Sequence, residues 1–599
     1  MEDIRNQEVR TSMKWDLSYL FETDEAYQKA LQETKEKIAK LGTYKGKLSS
    51  ENTFVEYFSL QKELQKVGYR VYLYASLSSD LNKKDMEKSA RLQEVQIAFA
   101  QLQQAISFEE PELILLGRDK VIAFVENNPQ IHEFRFIFEK LFLRQEHILN
   151  DEAEMLLANF NQLADSGRSL YSSLSVADIE NVDVMLDSKE IVTITNSNYR
   201  AFIQKSQSAK ERKDIFEAVF SYYDTHKNTY AQIYKTVLEA DYALMKSRKY
   251  ASSLESYLFN NQIPTEVYAS LSEVARNHTA PIKKYLALRT QILGLEKHHT
   301  YDRFLELARS DKQYSYAEAK ALFFASIRHF PEDFQAKARE VIRDGFVDVE
   351  EQPGKRTGAY SSSIPDVHPF ILLNYSNTLA DVFTLAHEAG HSMHSLYAME
   401  HQPPLLQEYT IFVAEVASTF NEHNLLDYFI HESNASKSEK IMLLQRAIDD
   451  ILATFYRQTL FAIYELETHR MIESGQPITA DHLSQVMIKL YQEFYDIDIT
   501  EETVKQYVWA YIPHLFYTPF YVYQYATSFA ASLKLYEDVK SGVEGAFDRY
   551  IGLLSSGGSD YPMNQLKTAG VDLTKKDSFL AVVKRMEDLV NQLESVIQE

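Results

Sequence analysis

The sequence contains no cysteine, which excludes disulfides, thiolate metal ligands and a cysteine nucleophile. It also lacks basic excess. Against 86 Asp and Glu there are only 63 Lys and Arg, a formal charge of −23. That argues against general nucleic-acid or anionic-membrane binding, which calls for clustered basic surface. The opening MEDIRNQEVRTSMKWDL is charged from its second residue and has no apolar run of the signal-peptide kind. Residues 506–533 carry no Lys, Arg, Asp or Glu, but prolines, His514, Gln524 and many tyrosines interrupt them, so they make a poor membrane span. No fixed-period repeat or low-complexity segment is evident. With 45% apolar and 25% charged residues over 599 positions, the expectation is a soluble, cytoplasmic globular protein with ample material for a core.

Helical patterning dominates what is present. Thr23 is placed to cap a helix that carries Asp24 and Glu25 in its first turn and stops at Gly42. Amphipathic patterns follow over roughly 50–80, 84–108 and 150–166. Ser436 and Glu439 form a capping box for a long helix running towards Gly475 and Pro477. Two stretches break the pattern. Residues 182–195, VDVMLDSKEIVTIT, read as a hairpin turning near Asp187 to Lys189, and HPFILLNY at 368–375 reads as a buried strand. A division near residue 196 separates a helical N-terminal region with a small hairpin, 1–195, from a larger catalytic region, 196–599.

The stretch TLAHEAGHSMHS, residues 384–395, concentrates the chemistry. Thr378 caps a helix whose Leu379, Val382, Phe383, Ala386, Gly390, Met393 and Tyr397 recur along one buried face. His387 and His391, four residues apart, bring two imidazoles to one side within reach of a single cation. Glu388 projects farther round the same helix, where a carboxylate can take a proton from water held by the metal. A mid-helix glycine costs about 1 kcal/mol relative to alanine, so Gly390 implies close approach of backbone or ligand.

A catalytic zinc usually takes three protein ligands and a water. His394 is one candidate, but it lies a rise of about 10.5 Å along the helix from His387, which leaves it better suited to supporting a ligand or facing substrate. Glu415 is the stronger candidate. It is the one charge within the apolar run 411–420, IFVAEVASTF, and desolvating an unpaired carboxylate is costly. Glu422, seven residues on, falls near the same face and can orient a histidine ligand.

These motifs resemble the oligoendopeptidase F family of zinc metallopeptidases, relatives of thimet oligopeptidase. The resemblance rests on HEAGHSMHS, KRTGAYSS, HPFILLNY, FVAEVASTFNE and LSSGGSDYP, and is densest from about 350 to 575. It implies a mainly α fold: a large helical zincin-type peptidase with a small β-sheet beside the active-site helix and a deep substrate channel. It further implies cleavage confined to short, unstructured peptides, one zinc ion held by His387, His391 and Glu415, and Glu388 as general base. The family stabilises the developing oxyanion with a histidine and tyrosines from a segment matching HLFYTPFYVYQYATS, residues 514–528, which offers His514, Tyr517, Tyr521, Tyr523 and Tyr525; His514 and Tyr525 are favoured, then Tyr521 and Tyr517. HPFILLNY is a candidate edge for a substrate backbone to pair with, and Gly358 and Gly557–Gly558 mark candidate mobile loops.

Two other readings stay open on sequence. One is a zinc carboxypeptidase or dipeptidase on a similar helical fold, which requires a basic group for a terminal carboxylate. The other is a non-catalytic peptide-binding protein with a structural metal site. A His–His–Glu set also accepts cobalt or manganese.

Overall fold

In a computed structural model, which describes residues 13–433 and 435–599, the chain is predominantly helical with two small sheets. The charged start, residues 1–12, lies outside the described residues. Among the described residues no helix is long and apolar enough to cross a membrane. Among the described residues two compact units are each assembled from three stretches: unit 1 from 13–146, 311–428 and 535–571, unit 2 from 147–310, 429–534 and 572–599.

Unit 1 begins with three long helices, α1 (Asp24–Gly42), α2 (Glu51–Leu81) and α3 (Met86–Ala105). The Thr23 side chain accepts the Ala26 N–H, the cap expected from sequence. Phe54, Phe58, Phe134 and Phe138 pack as edge-on and stacked rings in the core beside them.

The unit's sheet has the order β3–β5–β4, from Val347–Glu350, Val367–Tyr375 and Tyr360–Ile364. β5 runs parallel to β3, pairing Val347 with Ile371, and antiparallel to β4, pairing Tyr360 with Leu372 and Ser362 with Phe370. HPFILLNY is therefore a strand, but the central one. Both its edges are taken, so it cannot pair with a substrate backbone, and β3 and β4 are the outer strands among the described residues. Central placement explains why Pro369 to Leu373 are continuously buried.

A short joint then turns strand into helix. Asn377 sits at φ +64°, a left-handed conformation that asparagine tolerates, and Thr378 follows as the N-cap of α4, Leu379–His401. The Thr378 hydroxyl accepts the Asp381 N–H while the Asp381 carboxylate accepts the Thr378 N–H at 2.8 Å, a full capping box. α4 is buried on more than the expected face: Leu385, Ala389, Ser392, His394, Leu396 and Ala398 are buried as well. The helix is a core element packed against β4, β5 and neighbouring helices. Gly557 and Gly558 are not an open loop. They lie against the backbone carbonyls of Leu406 and Glu408, and the Gly558 N–H donates to Leu406 O at 2.7 Å.

Unit 2 contains the expected hairpin, β1 (Val182–Met185) antiparallel to β2 (Ile191–Ile194), with Val182 opposite Ile194. Its capping box at Ser436 opens a helix, Lys437–Ile451, that passes through a π-turn at Leu452–Tyr456 into Arg457–Glu473. That last helix ends in a paired carbonyl cap: Gln476 N–H donates to Met471 O at 2.8 Å and Gly475 N–H to Ile472 O at 3.1 Å, with Gly475 at φ +72°.

Candidate metal centre

α4 and the following helix α5, Ile411–His431, cross at a point where their backbones nearly touch. A Cβ on Gly390 would lie 2.6 Å from both Ala417 O and Ser418 Cα. The Asn421 amide also donates to Ala386 O at 3.1 Å. This contact brings Glu415, one turn from Ser418, against the two histidines.

Three ligand atoms converge there. His387 Nε2 and His391 Nε2 are 3.2 Å apart, and Glu415 Oε2 lies 3.4 Å from the first and 3.5 Å from the second. A tetrahedral ion with bonds of about 2.0–2.1 Å spaces its ligand atoms by roughly 3.3–3.4 Å. The donor set therefore fits a zinc-sized cation. Among the described residues this is the one such group of three or more metal-ligating side chains.

The surroundings fix the set's protonation. Glu422 Oε1 accepts from His387 Nδ1 at 2.9 Å, so the other nitrogen, Nε2, is the one facing Glu415. Burial works against a charged His387, but Glu422, Glu388 and Glu415 together outweigh it and raise the group to about 9 in the metal-free chain. Burial would raise the Glu415 carboxyl, yet His391 and His387, with the Ser418 hydroxyl at 2.9 Å, hold it at about 2. A carboxylate that stays ionised at a partly exposed position is a suitable hard ligand. The Glu415 side chain is 36% exposed, so the centre opens to solvent on that side.

Glu388 is 6% exposed, and burial raises its carboxyl above the usual range. The two imidazoles and the backbone of Ser361 on β4 oppose that shift. β4 is fastened to α4 by Ser361–Ser392 and Ser363–Ser395 hydroxyl contacts of 2.8 and 2.9 Å.

His394 lies outside the group of three converging ligand atoms. It is fully buried, its ring lies 3.5 Å from and nearly parallel to the Tyr409 ring, and neither nitrogen has a hydrogen-bond partner among the described residues. Burial, then the charge of His391, push it down to about 3. The seven-residue separation from His387 carries it along α4 out of reach. His394→Phe is expected to bind metal with unchanged stoichiometry, as measured by elemental analysis. Loss of the metal would restore His394 to the ligand set. Glu422→Gln should weaken metal binding about 10- to 100-fold, read by competition with a chromogenic chelator, with the helical circular dichroism unchanged.

Sequence reasoning missed Ser361 and Tyr409. Tyr409 stacks on His394 and its hydroxyl donates to His391 O at 3.4 Å. Only the serine run 361–363 was a visible sign of the first, and nothing local marked the second.

Within unit 2 the tyrosine-rich segment gathers three of its named residues. Tyr525 Oη is 3.5 Å from His514 Nε2, the His514 and Tyr521 rings are nearly parallel at 5.9 Å, and Tyr521 meets Tyr525 edge-on at 5.4 Å. Tyr517 instead meets Tyr171 edge-on, and Tyr523 is a core residue 2% exposed beside Tyr268. His514 is held below its ordinary value by burial and then by the Arg457 charge.

Known proteins resemble the chain along its length. Residues 202–585 match peptidase family M3 and residues 112–180 match oligopeptidase F. The chain is 32% identical to the oligopeptidase PepF of Bacillus subtilis, over 99% of this chain and 88% of that protein. A crystal structure from Chlamydophila abortus superposes with a TM-score of 0.89 at 30% identity, covering 98% of each chain. The oligoendopeptidase-F of Enterococcus faecium superposes at 0.74 and 26% identity, covering 96% of this chain and 99% of its own. With more than half its length matched by one peptidase family and full-length relatives at this identity, the chain belongs to peptidase family M3 as an oligoendopeptidase F-like metalloendopeptidase.

Proposed function

We propose that this chain is a zinc-dependent endopeptidase that hydrolyses internal bonds of short, unstructured oligopeptides, with His387, His391 and Glu415 as the metal ligands and Glu388 as the general base. The observation that carries this reading is the spacing of three ligand atoms within 3.2–3.5 Å of one another beside a buried carboxylate. The relatives' names, oligopeptidase and oligoendopeptidase, support the substrate class. Zinc bound there supplies a Lewis acid that acidifies water and polarises a carbonyl.

The chain's own groups do the rest. Glu422 holds His387 in one tautomer. Glu388 takes a proton from the attacking water on a carboxylate oxygen and returns it to the leaving amine nitrogen, for which a carboxyl raised by burial is better suited than a surface one. His514 and Tyr525 are assigned hydrogen bonds to the developing oxyanion, with Tyr521 and then Tyr517 as alternates; such donors typically contribute a few kcal/mol.

The test is an internally quenched peptide acylated at one end and amidated at the other. Purified protein should cleave it, lose activity with chelator and regain it with added zinc. Failure to cleave any of a varied set of such peptides when zinc-loaded would sink the endopeptidase reading in favour of an exopeptidase. Recovery with manganese or cobalt but not zinc would reassign the metal.

A further inference from the structure

In a chain of net charge −23, unit 2 gathers four cations that make no ion pair among the described residues. Arg200 and Arg303 flank Phe304, with guanidinium carbons 5.7 and 4.5 Å from its ring centre. Phe304 in turn meets Tyr199 edge-on at 5.8 Å, and Phe220 lies 6.2 Å from Tyr199. Lys505 Nζ sits 5.1 Å from the Phe220 ring and 5.5 Å from Tyr491. Arg457, the first residue of the helix after the π-turn, is close enough for its charge to act on Lys505 and His514.

Among the described residues none of the four forms an ion pair. Arg200 donates only to the Tyr199 and Tyr511 hydroxyls, and the buried Arg457 Nε has no partner at all. Three nearby carboxylates have other partners: Asp302 pairs with Arg212 at 2.8 Å, Glu502 with His299 and the Thr300 N–H, and Asp449 accepts from Tyr285 and Gln445. Lys505 is only 5% exposed.

Cation–aromatic contacts do not balance this arrangement. Each contributes roughly 0.5–2 kcal/mol, whereas desolvating an unpaired ammonium or guanidinium costs several. The strain is visible in the groups themselves. Burial, then Arg303, pull Arg457 down to about 10, and burial with Arg303, Arg457 and Arg200 drives Lys505 well below its usual range although Glu502 opposes the shift. Exposure is graded, from exposed Arg200 through half-buried Arg303 and Arg457 to buried Lys505, so the group meets solvent at Arg200. Planar, forked guanidinium groups match a carboxylate.

We propose that Arg200, Arg303, Arg457 and Lys505 form a receptor for a carboxylate of the peptide substrate, supplied by its free C-terminus or by an acidic side chain near that end. The inference rests on the peptidase reading for its ligand, and Arg457 ties it to the segment of His514. It makes peptides with a free end the preferred substrates and leaves blocked peptides slower but cleavable.

Binding tests it without relying on turnover. Zinc-loaded Glu388→Gln protein is titrated with three labelled peptides of one sequence: the free acid, the C-terminal amide, and an amide ending in glutamate. The free acid should bind about 10- to 100-fold more tightly than the amide, the range of a charge-assisted pair. Tight binding of the glutamate amide assigns the side-chain source as well; weak binding restricts the site to the C-terminus. Arg457→Met and Arg303→Met, introduced separately, should each shrink the acid-to-amide ratio, and Arg457→Lys should restore part of it. Equal affinity for all three peptides overturns the proposal, whether or not inorganic phosphate raises the melting temperature. That comparison needs no change in the cluster, so a misfolded arginine variant does not affect it. If the wild-type chain cleaves no blocked peptide while the acid still binds preferentially, it is the endopeptidase reading that fails and the receptor that stands.

Discussion

Glu388→Gln is expected to lower kcat by at least about a thousandfold, towards the upper end of what a positioned acid–base group contributes, while leaving one zinc per chain. The two parts of the outcome follow from separate features. Glutamine preserves the shape of a side chain that is 6% exposed and packed beside β4, so the fold and the three ligands should persist. It cannot accept a proton, so the step that makes water nucleophilic and the step that protonates the leaving amine both lose their carrier. KM should change little, since the carboxylate is assigned to proton transfer and not to holding peptide. The measurement pairs steady-state kinetics on a quenched peptide with elemental analysis of the same preparation. Activity within tenfold of wild type, with metal intact, would remove Glu388 from the proton path. Loss of metal together with activity would recast it as a support for the ligand set.

How much of this was readable beforehand depends on the range of the interactions involved. The Thr378 cap, the one-turn pairing of His387 with His391, the Ser436 box and the 182–195 hairpin are set by neighbours within a few residues, and each is present as read. Glu415 was legible for another reason: an isolated carboxylate in an apolar helix demands a partner, and sequence alone can pose that demand. What stayed hidden is set by pairings across hundreds of residues. HPFILLNY declares itself a strand but not its place between β3 and β4, since nothing in VDVE or YSSSI announces which edge each will take. The glycines of LSSGGSDYP read as a flexible turn, although the 404–408 segment approaches them more closely than any side chain would permit. His394 carries the same ring as His387 and His391, and its stacking on Tyr409, from a separate segment, is not announced by its own neighbours. Arg200, Arg303, Arg457 and Lys505 are unremarkable singly, and become a site only when four distant stretches meet.

Gly390→Ala should destabilise the protein and strip it of metal, reversing the usual sign of the substitution in a helix. Alanine is favoured over glycine in a helix interior by about 1 kcal/mol, and that gain would show if the site had room. It has none: the new Cβ would stand 2.6 Å from Ala417 O and Ser418 Cα and 2.8 Å from Ala417 C, where ordinary contact begins at 3.4 Å. All three neighbours are backbone, so no side chain can rotate aside. The helices must part by roughly 1 Å, and overpacking of this kind costs about 1–3 kcal/mol, sometimes more. The clash outweighs the helix gain. Because Glu415 rides on α5 and both histidines on α4, the same displacement pulls the third ligand away from the other two, and metal sites tolerate only about 0.2 Å. Zinc affinity should therefore fall at least about 100-fold, and the melting temperature should fall in the metal-free protein too. Gly552, inside the helix Ala546–Leu554 with nothing within 4 Å of its would-be Cβ, provides the control. Gly552→Ala should leave stability unchanged or raise it by up to about 1 kcal/mol and keep zinc binding intact. If Gly390→Ala behaved like Gly552→Ala by calorimetry and chelator competition, the close crossing of α4 and α5 would not be what brings Glu415 to the metal.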